Sequence, residues 1–185
     1  MATEAIAAEL GSCAPDFILP GACGQTWSRD AAAGPNGLVV MVICNHCPYV
    51  QAVIDRIVRD ALGLQALGIG VVAISSNDAA AYPEDSFDSM RRMWRERRMP
   101  FPYLYDADQS VARAYGAVCT PDFFGYDREL RLQYHGRLDA SARQPAPTDA
   151  RRELFEAMEQ VVLTGRGPAK QVPSIGCSIK WIADA

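Results

Sequence analysis

Two cysteines separated by two residues, Cys44-Asn45-His46-Cys47, stand where an apolar run ends and a helical pattern begins. Thiols at that spacing can be joined and released as a disulfide. At a helix N-terminus the free backbone N–H groups and the helix dipole favour an anion. Such a site lowers a cysteine pKa from about 8.5 into the range of roughly 3.5–7.5. Cys44 precedes the helix and reads as the more exposed, attacking sulfur. Cys47 reads as the resolving sulfur, one turn in. Pro48 fits, because a first-turn N–H has no helical partner to lose. His46 adds a titratable cation beside the thiolate, which favours the reduced form and makes the disulfide more oxidising. The plain alternative is a pair of buried structural cysteines.

Other residues could join this chemistry. Thr120-Pro121 opens a strand after the helical section and is a candidate cis peptide whose turn would flank the thiols. Cys119 adjoins that turn, and Cys177 lies in a tail of small residues that could fold back over the site. Either could be a third redox thiol or a small packing residue. Cys13 and Cys23 have no evident partner. Four thiolates from Cys44, Cys47, Cys119 and Cys177, with His46 in reserve, would suit zinc. One C-x-x-C with distant cysteines is a weak zinc signature, so no metal and no cofactor is assigned. His135 reads as exposed on its strand. Tyr82, Glu84 and Asp85 follow the C-terminal end of a strand, where α/β sheets collect their sites, and either line the thiol pocket or cap the helix at Ser86. Arg91, Arg92, Arg95, Arg97 and Arg98 form a solvated basic face or a docking surface for an acidic protein.

The elements that must position these groups follow from periodicity. Leu38 to Cys44 is continuously apolar, as in a strand covered on both faces. Val50, Val53, Ile54, Ile57, Ala61 and Leu64 recur at helical spacing, with Asp55, Arg56, Arg59 and Asp60 opposite, up to Gly68 and Gly70. Residues 70–75 form another buried strand, giving a right-handed β-α-β unit. Ser86 caps a helix to about Arg98. A strand at 103–106, a helix at 110–115, a hairpin of 122–126 with 130–134, and a helix over 149–163 follow. Short strands precede the unit near Phe17 to Leu19 and after Trp27. Residues 1–12 read as a loose lead-in with a short helix at Thr3 to Leu10, 139–148 as a loop, and 165–185 as a tail.

The chain has 185 residues, 49% of them hydrophobic, enough for a single domain with a proper core. A net charge of −4 argues against a nucleic-acid partner. Neither a signal peptide nor a membrane span is evident, so the expected compartment is the cytoplasm, where closely spaced thiols point to redox chemistry or a metal.

Several segments together resemble a known family. They are Ala14-Pro15-Asp16-Phe17 with Leu19-Pro20, Cys44 to Val50, Asn77-Asp78 with Tyr82 to Asp85, Ala117 to Phe124, Gly136 to Asp139, and Pro173 to Trp181. The chain is similar to the thioredoxin-like superfamily, in the peroxiredoxin-like branch of the alkyl hydroperoxide reductase/thiol-specific antioxidant (AhpC/TSA) family. The resemblance implies an α/β/α sandwich of three layers with a mixed central sheet, an N-terminal extension and an inserted helix and strand. Peroxiredoxins carry Pro-x-x-x-Thr/Ser-x-x-Cys. Aligned on Cys47, Val40 and Cys44 occupy the proline and threonine positions. Thioredoxins place a tryptophan before the first cysteine and an acid on the preceding strand, whereas Ile43 precedes Cys44 and Leu38 to Ile43 holds no acid.

The expected function is thiol-disulfide oxidoreductase, with Cys44, Cys47, His46, Thr120 and Pro121 at its centre. Partners would be a disulfide-bearing protein or a small thiol or peroxide, and an external thiol reductant, with no nucleic acid and no membrane. An atypical thiol peroxidase, or a redox-sensing or metal-binding module, is the alternative.

Overall fold

The computed structural model describes residues 2–147 and 149–183. In chain order the elements are β1 (Ala2–Glu4), β2 (Ile18–Pro20), β3 (Thr26–Ser28), α1 (Arg29–Ala32), β4 (Leu38–Val42) and α2 (Pro48–Ala66). Then come β5 (Gly70–Ser75), a 3₁₀ turn (Pro83–Asp85), α3 (Phe87–Glu96), β6 (Tyr103–Tyr105), α4 (Ser110–Tyr115), β7 (Cys119–Thr120), β8 (Asp122–Tyr126), β9 (Leu132–Gly136), α5 (Glu153–Thr164) and β10 (Ile175–Ser178).

β4 is the middle of a five-stranded sheet ordered β6-β5-β4-β8-β9. It runs parallel to β5, with Leu38 opposite Gly70, and antiparallel to β8, with Leu38 opposite Tyr126. β6 adds in parallel to β5, and β9 antiparallel to β8. The unbroken apolar run of β4 is explained by two cores. Val39, Met41 and Ile43 point to the side covered by Val53, Ile54 and Ile57 of α2, Met90 of α3 and Met158 of α5. Leu38, Val40 and Val42 point to the side covered by Val111 and Tyr115 of α4 with Phe17 and Leu19. Both faces of one sheet are thus buried under helices, which gives three layers.

Several boundaries differ from the sequence reading. Residues 2–4 are a strand, not the start of a helix, because they pair antiparallel with β10, Thr3 opposite Gly176. Met1 and Thr148, in the expected lead-in and loop, and the last two residues of the tail lie outside the described residues. β9 begins at Leu132, because Asp127 accepts the backbone N–H groups of Glu129 and Arg131 and tightens the turn. α5 starts at Glu153. Asp60 belongs to no solvated face: it is buried and takes hydrogen bonds from Arg59 and from Arg152 ahead of α5. In the basic helix, Arg91 lies over the Phe87 ring at 4.6 Å and Arg97 bonds Asp55 on α2.

α2 carries the cysteine turn, so its seating decides where the sulfurs sit. Ile54→Ala, at a buried position facing β4, is expected to cost about 2–5 kcal/mol. The check is a lower denaturant midpoint at unchanged slope.

Candidate active site

β4 hands the chain to the turn Cys44-Asn45-His46. Ile43 is still held by its N–H to the Ile74 carbonyl, at 2.9 Å. Cys47 is the N-cap of α2, and Pro48 is the first helical residue. This corrects the expectation that Cys47 lies one turn inside. The expected exposure of Cys44 is also corrected: Cys44 is 1% exposed and Cys47 0%. The reason is a second layer over the turn, made by the β7–β8 junction and by β10.

The Thr120-Pro121 peptide is cis. Thr120 touches both sulfurs. Its hydroxyl lies 3.3 Å from Cys44 Sγ, and its carbonyl accepts the Cys47 thiol at 3.2 Å. The two thiols act on each other's ionisation, so they titrate as one unit. The Cys47 thiol is lowered to about 4, first by the bond from the Cys44 thiol, then against burial by the Cys177 thiol, the Thr120 hydroxyl and the Val50 N–H. The Cys44 thiol is pushed up by its bond to Cys47, by burial and by the charge of Asp85. These causes favour the anion of the pair on Cys47, whose bond to the Thr120 carbonyl holds only while the thiol keeps its proton.

Asp85 is the functional residue that sequence reasoning left undecided. Its carboxylate is fully buried and points away from α3, whose N-cap is Ser86. Oδ1 accepts the backbone N–H of Asn45 at 2.7 Å and of His46 at 3.3 Å. Oδ2 accepts from Asn77 Nδ2 at 2.7 Å and lies 2.6 Å from His46 Nδ1. The acid missing from β4 is thus supplied by the turn after β5. Tyr82, on the same segment, stacks on the His46 ring at 5.6 Å between centroids. His46 is consequently bonded to Asp85 rather than to a sulfur. Asn45 completes the clamp by donating to the Glu84 carbonyl and accepting from the Tyr103 hydroxyl, each at 2.9 Å. Neither Asn45 nor Tyr103 stood out in the sequence. The only signal was the Asn77 to Asp85 segment.

Cys44 Sγ, a His46 ring nitrogen and an Asp85 oxygen lie within 4.8 Å of one another, a possible set of metal donors. In this geometry Asp85 and His46 are committed to each other and to backbone N–H groups.

The other cysteines divide. Cys119 is buried in β7, and burial, followed by the charge of Asp122, pushes its thiol up. Cys177 on β10 packs against the core cluster that contains Cys44 and Cys47, and its thiol is raised to about 11, first by burial and then by Cys47. Cys13 is exposed, and Cys23 accepts from the Trp27 indole. His135 is buried, not exposed: Ala8 N–H bonds Nδ1, and Nε2 lies 3.0 Å from Asp122. The lead-in segment covers it, and Phe124 stacks beneath at 4.2 Å.

The pattern of the AhpC/TSA family matches residues 10–135. The chain belongs to the AhpC/TSA family. Among solved structures it is similar to an uncharacterized conserved protein from Geobacillus kaustophilus, with 42% identity and a TM-score of 0.94, over 100% of this chain and 98% of that one. A hypothetical protein from Sinorhizobium meliloti 1021 shares 43% identity with a TM-score of 0.90, over 98% and 100%. The thioredoxin domain of a thiol-disulfide oxidoreductase from Bacteroides vulgatus, 14% identical, gives a TM-score of 0.63 over 84% of this chain and 99% of that one. That similarity carries the thioredoxin-like fold. No curated protein matches. Within this AhpC/TSA chain, three of the motif segments meet at the turn: Cys44 to Cys47, Asn77 to Asp85, and Cys119 to Pro121.

Two outcomes follow. Asp85→Ala leaves buried N–H groups without an acceptor and is expected to cost about 3 kcal/mol or more, with Asp85→Asn recovering part, read by chemical denaturation. In the reduced protein the ultraviolet thiolate absorbance lost in Cys47→Ser should persist as pH falls toward about 4. Loss of that absorbance near the usual pKa of about 8.5 would contradict the charge placement.

Proposed function

We propose that this AhpC/TSA protein is a thiol-disulfide oxidoreductase that uses Cys44 and Cys47 as one dithiol-disulfide couple. The observation that carries the reading is the placement of both sulfurs at the start of α2 against one residue, with Cys44 Sγ 3.3 Å from the Thr120 hydroxyl and Cys47 Sγ 3.2 Å from the Thr120 carbonyl. Cys47 then attacks one sulfur of the substrate disulfide, and the other sulfur leaves as a thiolate. Cys44, on losing its proton, attacks Cys47 Sγ in the mixed disulfide. The Cys44–Cys47 bond forms and the second substrate sulfur is released. The Cys44 proton goes to the departing substrate sulfur, while Asp85, within 4.8 Å of Cys44 Sγ, stays bonded to Asn45, His46 and Asn77. This order reverses the one read from sequence, because the anion of the pair is favoured on Cys47 and disfavoured on Cys44. His46 acts through Asp85 and Tyr82 as an orienting group. The substrate is a disulfide-bearing protein or a small disulfide, and an external thiol restores the couple.

The test is reduction of an insulin-type disulfide with a thiol donor, run beside peroxide consumption. Wild type should reduce the disulfide, and Cys47→Ser should fall to background. With Cys177 also replaced, the Cys44→Ser/Cys177→Ser variant should retain the substrate as a mixed disulfide on Cys47. Peroxide consumption without disulfide reduction would point instead to a peroxidase. Retention of the substrate by Cys47→Ser, on Cys44, would restore the order read from sequence.

A further inference from the structure

β7 ends in the Thr120-Pro121 peptide beside both sulfurs. Its edge is where an extended substrate chain would pair by strand addition. In this protein the edge is already taken by the chain's own β10. Cys177 is opposite Thr120 and Ser178 is opposite Cys119. The far edge of β10 is held in turn by β1, with Ala2 opposite Cys177. Flanking bonds fix the segment: Ser174 Oγ donates to the Gly136 carbonyl at 2.8 Å, and the Ile179 N–H to the Val118 carbonyl at 3.0 Å. The approach is so close that a Cβ at Gly176 would run into the Thr120 carbonyl. That carbonyl is the one the Cys47 thiol leans on. Cys177 thus stands across from the residue that positions Cys47, half-buried and packed against the core cluster that contains Cys44 and Cys47.

We infer that Cys177 is a third redox-active thiol of the site, and that β10 serves as a built-in substrate strand that takes Cys47 into an intrachain Cys47–Cys177 disulfide. The inference rests on the exchange chemistry proposed above. When Cys47 carries a mixed disulfide, deprotonated Cys177 attacks Cys47 Sγ. The Cys47–substrate S–S bond breaks as the Cys47–Cys177 bond forms. The substrate sulfur leaves with the electron pair of the broken bond and takes up the proton that Cys177 gave. No electron enters or leaves in this step. Cys44 can then attack Cys47 Sγ, forming Cys44–Cys47 and returning a proton to Cys177. The two disulfides therefore share Cys47 and interconvert.

The arrangement gates itself. While Cys47 is a thiolate, burial and that neighbouring charge keep Cys177 protonated. Once Cys47 is in a disulfide the charge is gone, and Lys180, which favours the Cys177 thiolate, acts unopposed by it.

Oxidised glutathione is the probe, followed by acid quenching, alkylation and peptide mapping. Cys44→Ser is expected to release glutathione and yield a Cys47–Cys177 disulfide, and the Cys44→Ser/Cys177→Ser double variant to keep one glutathione on Cys47. A Cys44→Ser protein that stays glutathionylated with Cys177 free to alkylation overturns the inference. Wild type, mapped the same way, is independent of how the variants fold. A Cys47–Cys177 linkage beside Cys44–Cys47 supports the inference. Cys44–Cys47 alone, with Cys177 fully alkylated, overturns it and leaves the exchange couple standing. No disulfide at Cys47 overturns both.

Discussion

A carboxylate with no access to water must be surrounded by donors, and Asp85 finds three of its four in one turn of chain. The backbone N–H groups of Asn45 and His46 and the His46 ring converge on it, and Asn77 closes the set. A turn that leaves a strand and enters a helix has unpaired N–H groups by necessity, and here a segment forty residues later supplies their acceptor. Asn45 extends the tie to Tyr103 on β6 and to Glu84. The cysteine turn is therefore pinned between β5, β6 and the 3₁₀ turn. The sulfurs sit under Thr120 as a consequence.

The same carboxylate adds to the forces that keep the proton on Cys44. Two adjacent thiols in a buried site ionise one at a time. Cys47, burial and the Asp85 charge favour the proton on Cys44, and the anion is favoured on Cys47, the N-cap residue of α2. This explains how the chain dispenses with two features of its relatives by resemblance. The acid absent from β4 arrives from the loop after β5. Cys44, standing where peroxiredoxins carry threonine, meets the Thr120 hydroxyl from across the fold.

What could be read from sequence was local. The apolar run of β4, the helical spacing of α2, the Ser86 cap and the extent of α4 are set by side chains within a few residues of each other. The C-x-x-C turn and the Thr120-Pro121 step were visible for the same reason. What escaped depends on partners far along the chain. Ala2–Glu4 shows no strand alternation, and its partner is β10. His135 looks like an exposed strand residue until Ala8 covers it. Asp85, next to a serine that starts a helix, reads locally as a cap, yet its donors lie on the Cys44 turn. The exposure of Cys44 was misjudged because the layer above it comes from residues 119–121 and 175–178.

The central claim is that Cys47 is one half of an exchangeable disulfide. The measurement that addresses it is an equilibrium titration of the protein in glutathione redox buffers, with residual thiols at each cysteine quantified after denaturing alkylation. The account predicts a single two-electron transition in which two protein thiols vanish together and Cys47 is always one of them. A Cys47 that remains free at the oxidising end, or that acquires only a stable glutathione adduct with no second protein thiol lost, would contradict it.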